Sequence, residues 1–338
     1  MNHALPASLK DVQEAATRLQ GHIITTPLVE APLLEKELGF RLLVKAENTQ
    51  LTGSFKVRGA LNQILQLTKE EKQKGVIAIS SGNHAQAVAY AAATAGTKAT
   101  IVMPQDAPQL KLNNTRRYGA EIVTYNRDTD DREEIGQRIA RERGLCMIHP
   151  YNDGRTIAGQ GTCGIEIFEQ MKAKGASPAA ILVNCSGGGL AAGISLSRDL
   201  YSDEKPMIYS TEPEYFDDMK LSLESGGIVK HNKTSGSICD ALMAMSPGDK
   251  TFSILRHQKA RGFAASDAQT EAAMSLAAEY FKLVLEPGGA VSIACACLNR
   301  DMFRGKTVVA VGSGGNVDPG VYTGMLERGY ANRKLLFS

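Results

Sequence analysis

Lys56 lies in the stretch TGSFKVRGA, residues 52–60, directly after a phenylalanine and among small residues. Such neighbours can remove part of the water around its ammonium group, which would lower the pKa of Lys56 and favour an imine with a carbonyl compound. A lysine taken alone is far more often a solvated surface charge. Lys56 is therefore a candidate nucleophile that other motifs must support.

Three polar, glycine-containing turns each follow a short apolar run: SSGNH at 80–84, SGGGL at 186–190 and GSGGNVD at 312–318. Consecutive glycines let backbone amides close around a phosphate, because no side chain blocks the approach. The second turn therefore favours phosphate, although it lacks the Gly-Lys-Ser/Thr ending of nucleotide-hydrolase loops and the spacing of dinucleotide-binding loops. The first turn precedes an alanine-rich stretch and either binds an anion at a helix N-terminus or is an ordinary polar cap.

The apolar runs that precede these turns predict an α/β protein. They are continuous rather than alternating, which is typical of parallel sheets buried on both faces. Ligands of such folds bind at the carboxyl ends of strands, where the three turns lie. One cluster of runs falls near 76–150 and another beyond 180, so we expect two sheets with a cleft between them. The runs are RLLVKAE (41–47), VIAIS (76–80), TIVMP (100–104), EIVTY (121–125), CMIHP (146–150), ILVNC (181–185), MIYST (207–211) and TVVAVGS (307–313).

Helix signals near the start of the chain predict an N-terminal helical layer. Ser8 with Asp11 three residues later resembles a capping box, and Pro32 stands where a first helical turn could begin.

Composition narrows the class of protein. The chain has 338 residues, 43% of them hydrophobic, and a formal net charge of +2, so it can bury a large core and has no charge surplus for nucleic acid or a membrane surface. No apolar run approaches the roughly 18 residues of a spanning helix, and the start of the chain does not resemble a secretion signal. The six cysteines show neither metal-site spacing nor the density of a disulfide scaffold, so we expect a cytoplasmic protein with a small-molecule partner.

Five motifs in order resemble the serine/threonine dehydratase and serine racemase family, which are fold type II pyridoxal 5'-phosphate enzymes. The motifs are GSFKVRGA, SSGNHAQAVA, IAGQGT, SGGGLAAG and SGGNVD, and the resemblance extends from about residue 8 to about residue 325. It implies two domains, each with a mainly parallel sheet flanked by helices. Residues 1–75 and 154–338 would form a large domain that anchors the cofactor, and residues 76–153 a small domain that binds the substrate carboxylate. The resemblance also suggests a homodimer.

The resemblance assigns roles to the residues of the three turns. Lys56 would bond covalently to the cofactor and later remove the α-proton, with Phe55 packed near the ring. Asn83 would bond the phenolic oxygen of the cofactor, and Ser313 would face the pyridine nitrogen. The phosphate would lie on Ser186, Gly187, Gly188, Gly189 and Leu190. The substrate carboxylate would lie on Ser80, Ser81, Gly82, Asn83 and His84.

The implied activity is elimination of water from L-threonine or L-serine, which gives a 2-oxo acid and ammonia. Ser81 leaves open a serine or aspartate racemase, because a serine here can protonate the face opposite the lysine; its hydroxyl could instead only help to bind the carboxylate. Arg132 could hold a second carboxylate and favour 3-hydroxyaspartate, or it could pair locally with Asp128 or Glu133. A dehydratase of compatible-solute breakdown and a binding protein without turnover are further alternatives.

Two features lie outside the three turns. By resemblance, Glu212, the carbonyl of Phe216 and Asp218 would hold a structural Mg²⁺, Mn²⁺ or Ca²⁺ ion, since oxygen ligands suit hard cations. Without the resemblance, a solvated acidic loop would be expected there. Asp240 is followed by Ala241 where relatives often have Asp-Gly, so the backbone there and the substrate specificity could differ. Glu286 is expected near the cofactor ring by the same resemblance.

Overall fold

The computed structural model describes residues 5–107, 109–200, 205–233 and 235–337. Within them, two sheets are present, and every run predicted as a strand contains one. The strands are β1 Leu28–Glu30, β2 Arg41–Lys45, β3 Val76–Ile79, β4 Ala99–Pro104, β5 Glu121–Tyr125, β6 Cys146–Met147, β7 Ala180–Asn184, β8 Met207–Pro213, β9 Arg261–Ala265 and β10 Thr307–Val311. The helices are α1 Leu9–Leu19, α2 Pro32–Leu38, α3 Lys56–Leu65, α4 Lys69–Lys74, α5 Asn83–Thr94, α6 Gln109–Arg117, α7 Arg132–Arg143, α8 Gly154–Ala173, α9 Gly189–Ser197, α10 Asp218–Ser225, α11 Asp249–His257, α12 Asp267–Leu276, α13 Pro287–Leu298, α14 Arg300–Phe303 and α15 Pro319–Ala331.

The larger sheet has six strands in the order β1-β2-β10-β7-β8-β9, and the smaller has four in the order β5-β4-β3-β6. All pairings are parallel except that of β1 with β2. The predicted α/β class with two mainly parallel sheets is confirmed. The strands of the smaller sheet fall within 76–153 and those of the larger sheet outside it; the domain boundaries themselves stay a prediction.

Helices cover both faces of the larger sheet, which explains its continuous apolar strands. Alternate residues of β7 and β10 face different cores: Leu182 and Val308 pack in one with α12 and α13, whereas Ile181 and Val309 pack in the other with α8 and α9. A sheet buried on both faces needs apolar residues at every position. The two faces together therefore produce the runs seen in the sequence.

Two helix starts agree with the sequence signals. Ser8 Oγ accepts a hydrogen bond from Asp11 N, and the Asp11 carboxylate accepts one from Ser8 N at 2.7 Å, which is the predicted capping box of α1. α2 begins at Pro32, as predicted. The described part of the chain holds no helix that is both long and apolar enough to cross a membrane.

A buried ionic network anchors the first turn of α3, which carries Lys56. Arg58 donates to Glu47 Oε2 at 2.7 Å and to Glu166 Oε1 at 2.6 Å, and Lys45 Nζ donates to Glu166 Oε2 at 2.6 Å. These charges come from β2, α3, α8 and a 3₁₀ turn, and each is paired, as burial requires. The network fixes α3 against α8 and so fixes where Lys56 begins the helix.

Candidate active site

Lys56 is the first residue of α3 and faces the cleft between the two sheets. Burial of its amine lowers the pKa of Lys56 to about 8, although the negative charge of Glu286 opposes the shift. Its Nζ donates to the carbonyl of Pro150 at 3.1 Å and lies 5.0 Å from the centre of the Phe55 ring. A lysine held in this way is partly neutral near pH 8 and can act as a nucleophile or a base.

The segment before Lys56 is tied to the third turn. Phe55 N donates to Ser313 O at 3.1 Å, and Ser54 pairs with Gly314 as a short antiparallel bridge. The Ser313 hydroxyl, in turn, accepts from Asn184 Nδ2 at 3.1 Å. The turn after β10 and the start of α3 are therefore bonded directly to each other.

Residues 186–190 link β7 to α9 and form a tight cradle. Gly188 has φ of 95°, a left-handed conformation that favours glycine. A Cβ on Gly187 would overlap the ring of Tyr151, and one on Gly188 would lie 2.5 Å from Met219 Cε. The amides of the first turn of α9 have no partner within the helix, so they can bind an anion.

The Gly187 carbonyl is held from outside the cradle. It accepts from Thr251 Oγ1 at 2.5 Å and from Gly248 N at 3.2 Å, while Ser186 Oγ accepts from Ala244 N at 3.2 Å. These bonds fix the backbone of the turn before any ligand enters. The arrangement is therefore suited to a phosphate that stays bound.

Residues 80–84 follow β3 and begin α5. Gly82 is the residue before the helix, its N donates to Ser80 Oγ at 3.2 Å, and the two serines are half-buried. Burial, with a smaller contribution from the positive charge of Lys56, lowers the pKa of His84 to about 3. His84 is thus neutral, and since its Nε2 lies 2.8 Å from the Ile148 carbonyl, that nitrogen carries the hydrogen.

Asn83 joins the first turn to the third across the cleft. Its Nδ2 donates to Glu286 Oε1 at 2.5 Å, and its Oδ1 accepts from Asn316 Nδ2 at 2.7 Å. Burial raises the pKa of Glu286 to about 7, and the charge of Lys111 opposes that rise. Glu286 therefore contacts Asn83. The Glu286 carboxylate and the Lys56 amine are also close enough for the charge of each to shift the pKa of the other.

Two polar residues of the site, the buried Asn184 and the half-buried His149, were not predicted from the sequence. Asn184, at the end of β7, contacts Ser313 and the carbonyls of Gly289 and Val311. His149 accepts from Asn152 N at 2.8 Å through Nδ1, and burial lowers the pKa of His149 to about 4. The signal in the sequence is a polar residue at the end of an apolar run, as Asn184 is in ILVNC and His149 is in CMIHP.

Arg132 is the first residue of α7, and 55% of its side chain is exposed. Its Nε lies 3.6 Å from Glu133 Oε1, which is one of the local pairings that the sequence left open. Burial raises the pKa of Tyr151, and the positive charge of Arg132 opposes that rise slightly. Arg132 is therefore largely solvated and pairs with Glu133 at the start of α7.

The carboxylates considered for a metal lie at β8 and α10. Glu212 is buried and its two oxygens accept from Met219 N at 2.9 Å and Lys220 N at 2.8 Å. Asp218 is also buried, and neither of its side-chain oxygens has a hydrogen-bond partner. Burial raises the pKa of Asp218 to about 7. Over the described ranges, no three histidine, cysteine or acidic side chains converge as a metal-binding cluster, so the predicted cation is not shown.

The site fits pyridoxal 5'-phosphate on the structure's own terms. Gly187 and Gly188 of the cradle leave no room for a Cβ, and Lys56, whose amine has a lowered pKa, donates to the carbonyl of Pro150, the residue before the Tyr151 that packs on Gly187. Asn83 and Ser313 supply uncharged donor and acceptor groups, which suit an aromatic ring with a hydroxyl and a ring nitrogen.

Comparison with known proteins agrees with this fit. The family described as "Pyridoxal-phosphate dependent enzyme" matches residues 19–314. L-threo-3-hydroxyaspartate ammonia-lyase of Saccharomyces cerevisiae is 40% identical over 94% of this chain and 95% of its own length. Serine racemase of Schizosaccharomyces pombe is 35% identical over 97% of this chain and 99% of its own length. The structure of maize serine racemase superposes with a TM-score of 0.87 at 32% identity, covering 97% of this chain and 99% of that one. This chain belongs to the pyridoxal-phosphate dependent enzymes.

Proposed function

We propose that this protein is an ammonia-lyase that uses pyridoxal 5'-phosphate to remove water from a 3-hydroxy amino acid, L-threonine or L-serine, and releases a 2-oxo acid and ammonia. The observation that carries the proposal is Lys56, whose buried amine has a pKa lowered to about 8, in a fold that also holds a glycine cradle suited to phosphate. Relatives named L-threonine ammonia-lyase and L-threo-3-hydroxyaspartate ammonia-lyase support it at 36% and 40% identity.

When bound, the cofactor supplies a conjugated ring that stabilises negative charge on the α-carbon of an amino acid. Residues 186–190 would hold its phosphate, and Lys56 Nζ would hold its aldehyde carbon. The amides at 80–84 would hold the substrate carboxylate, which orients the α-proton toward Lys56. Once the amino group of the substrate takes its place at that carbon, the freed Lys56 amine would accept the α-proton, because its lowered pKa leaves part of the amine neutral.

Ser313 would set the outcome of the reaction. Its hydroxyl is neutral and already bonded to Asn184, so it would not keep a pyridine nitrogen charged as a carboxylate would. Negative charge at the α-carbon would then be stabilised less. A substrate with a β-hydroxyl would therefore lose that hydroxyl quickly, as water. Elimination is therefore favoured over slower exchange reactions.

The direct test is reduction of the cofactor-loaded protein with borohydride, followed by digestion. The pyridoxyl group is expected on the peptide that contains Lys56. A panel of 3-hydroxy amino acids, assayed for 2-oxo acid and ammonia, then tests the activity. A label on another peptide, or no oxo acid from any member of the panel, would contradict the proposal.

Racemisation of serine or aspartate is a second candidate activity, supported by Ser81. Its side chain is half-buried on the turn at 80–84, which begins α5. Relatives named serine racemase share this fold. Ser81→Ala should abolish α-deuterium exchange into the D-enantiomer in deuterated water and spare oxo-acid formation; equal loss of both would contradict a separate acid at this position.

A structural divalent cation remains a proposal that rests on Asp218. Its two buried oxygens accept no hydrogen bond, although His231 Nε2 lies 3.5 Å from Oδ1, and the Glu212 carboxylate is close enough to feel its charge, so a cation would relieve an electrostatic penalty. Mg²⁺, Mn²⁺ and Ca²⁺ titrated into chelator-treated protein should raise its melting temperature, and Asp218→Asn should remove the response.

Two broader expectations are also proposals. A cytoplasmic location is supported by the six cysteines, all of which are free thiols in the fold. A homodimer is tested by sedimentation of the purified protein.

A further inference from the structure

Asn316, in the third turn, bonds two parts of the site to each other and plays no part in the function proposed above. Its Nδ2 donates to the carbonyl of Thr52 at 2.8 Å and to Asn83 Oδ1 at 2.7 Å. Thr52 belongs to the segment that leads into α3, and Asn83 begins α5. One side-chain amide therefore connects the segment before Lys56 with the turn at 80–84.

The Thr52 carbonyl fixes which way the Asn316 amide points. A carbonyl oxygen only accepts hydrogen bonds, so the group beside it must be Asn316 Nδ2 and not Oδ1. The main chain at this point is itself held, because Gly315 N donates to the carbonyl of Gly53 at 3.0 Å. The orientation of Asn316 is therefore set by backbone, which cannot turn over as a side-chain amide can.

The backbone of residues 52 and 53 is shaped around the Asn316 side chain. Thr52 has φ of 65°, which is a rare conformation for a β-branched residue, and Gly53 has φ of 73°. A Cβ on Gly53 would stand 2.6 Å from Asn316 Oδ1, so only glycine leaves the space in which this side chain lies. Asn316 is thus packed in one position, where it also satisfies the carbonyl of the strained residue.

The second hydrogen of Asn316 Nδ2 determines the orientation of Asn83. An oxygen must lie opposite that hydrogen, and it is Asn83 Oδ1, so Asn83 Nδ2 points the other way. There Nδ2 donates to Glu286 Oε1 at 2.5 Å. Glu286 is its one acceptor among the described residues, so the second hydrogen of Asn83 Nδ2 can bond a ligand.

Glu286 alone would not fix the Asn83 amide. Burial raises the pKa of Glu286 to about 7, so near that pH its carboxyl is partly protonated and can donate to an amide oxygen or accept from an amide nitrogen. A Cβ on Gly314 would overlap Glu286 Oε1 and stand 3.1 Å from Asn83 Nδ2, so the pair lies directly on the third turn. Asn316 supplies the unambiguous donor that Glu286 does not.

We propose that Asn316 is a positioning residue, which turns the Asn83 amide so that its N–H, and not its oxygen, meets the ring hydroxyl oxygen of the bound cofactor. This inference rests on the proposed function, because it assumes that Asn83 faces that oxygen. An N–H donor favours the deprotonated ring oxygen, whereas an amide oxygen would favour the protonated hydroxyl. Asn316 thus acts on the protonation of the cofactor through Asn83.

The test measures the absorbance of the cofactor-loaded protein at one pH, without substrate. The bound cofactor absorbs in the visible when its ring oxygen is deprotonated and in the near ultraviolet when that oxygen is protonated. Asn316→Asp replaces the donor by an acceptor and should lower the visible-to-ultraviolet ratio about 10-fold, the effect of one charge-assisted hydrogen bond. Asn316→Ala only frees the Asn83 amide to turn, and should lower the ratio about threefold.

Asn48→Asp is the matched control. Asn48 packs beside Gly315, since a Cβ there would stand 3.1 Å from Asn48 Cβ, but its Nδ2 donates to the Val284 carbonyl at 3.0 Å and not to Asn83. The variant places the same charge next to the third turn and should leave the ratio within about twofold, because the Asn83 amide keeps its partner. A change as large as that of Asn316→Asp would show that the added charge alone is responsible, and the proposal would be wrong.

A double variant separates positioning from a purely structural role. In Asn83→Ala protein, Asn316→Asp should change the ratio less than about twofold, because the amide through which it acts is gone. An equal shift with and without Asn83 overturns the proposal. So does an Asn316→Ala protein that melts at a lower temperature with an unchanged ratio, since Asn316 would then only hold Thr52. Failure of the proposed function shows elsewhere, as wild-type protein that carries no pyridoxyl group on the Lys56 peptide or forms no 2-oxo acid.

Discussion

The two anion-binding turns differ in how firmly the rest of the protein holds them. The turn at 186–190 has a glycine with left-handed backbone, and its neighbours Tyr151 and Met219 leave no room for a Cβ. At Gly82 the nearest atom to an added Cβ is Lys111 Nζ at 3.9 Å, the end of a flexible side chain. The constrained turn at 186–190 suits a cofactor that stays bound. The less constrained turn at 80–84 suits a substrate that binds and dissociates in each turnover.

This difference follows from what each turn packs against. The phosphate turn leads into α9, which is buried between α8 and the larger sheet. The turn at 80–84 lies at the cleft, and its two serines are half-buried. A cofactor bound through every turnover gains from a preorganised site, whereas a substrate must enter and its product leave.

Paired glycine variants give the largest expected effect. Gly187→Ala forces the Tyr151 ring to move, which should cost about 3 kcal/mol and weaken cofactor binding roughly 100-fold. Gly82→Ala, the matched control, should leave cofactor binding within about twofold, since its Cβ meets only the end of Lys111. Titration of the apoprotein with cofactor, followed by absorbance, measures both; equal losses would show that the two turns are equally constrained.

A smaller effect is expected from Lys56, whose buried amine makes the stability of the apoprotein depend on pH. Unfolded chains protonate this amine at its ordinary pKa of 10.5, whereas burial lowers the pKa of Lys56 to about 8 in the folded protein. Between these values the unfolded chain binds more protons, so the free energy of unfolding of the apoprotein rises with pH from about 8 to 10.5. Below about pH 8 the penalty for burying the charge is complete.

Lys56→Met should therefore stabilise the apoprotein by about 2 kcal/mol at pH 7, less than the full shift implies because the residue reaches water at the cleft. The gain should fade as the pH approaches 10.5. Urea unfolding at several pH values measures it, with Lys69→Met on exposed α4 as the control. A gain that does not change with pH would show that the lysine amine is not desolvated.

The sequence predicted the parts of the fold that have local signals. Strands such as β7 and β10 are recognisable because both faces are buried and every residue is apolar. β1 and β9 were missed: β1 has three residues and β9, at the sheet edge, is half-exposed, so neither leaves a continuous apolar run. The capping box of α1 was predicted because its two residues are three positions apart.

Contacts between distant residues could not be predicted in this way. Asn83 and Glu286 are 203 residues apart, and Lys111 and Asp240 are 129 apart, yet each pair is in hydrogen-bond contact. Nothing in the composition near Lys111 distinguishes it from a surface lysine. The glycine turns were found because the backbone conformation they need restricts the residue type locally, whereas charged partners are set by the tertiary fold.

The smallest expected effect concerns the bonds that hold each turn. Thr251→Val removes the hydroxyl that donates to the Gly187 carbonyl, which should cost about 1 kcal/mol and weaken cofactor binding roughly 5-fold. Ser80→Ala removes the acceptor of Gly82 N in the other turn and should change cofactor binding less than about twofold, because that bond is only half-buried and water can replace it. Cofactor titration of the two variants compares them directly. If Ser80→Ala weakens the cofactor as much as Thr251→Val does, the turn at 80–84 is part of a single rigid cofactor site, and the contrast between a permanent and an exchangeable anion site does not hold.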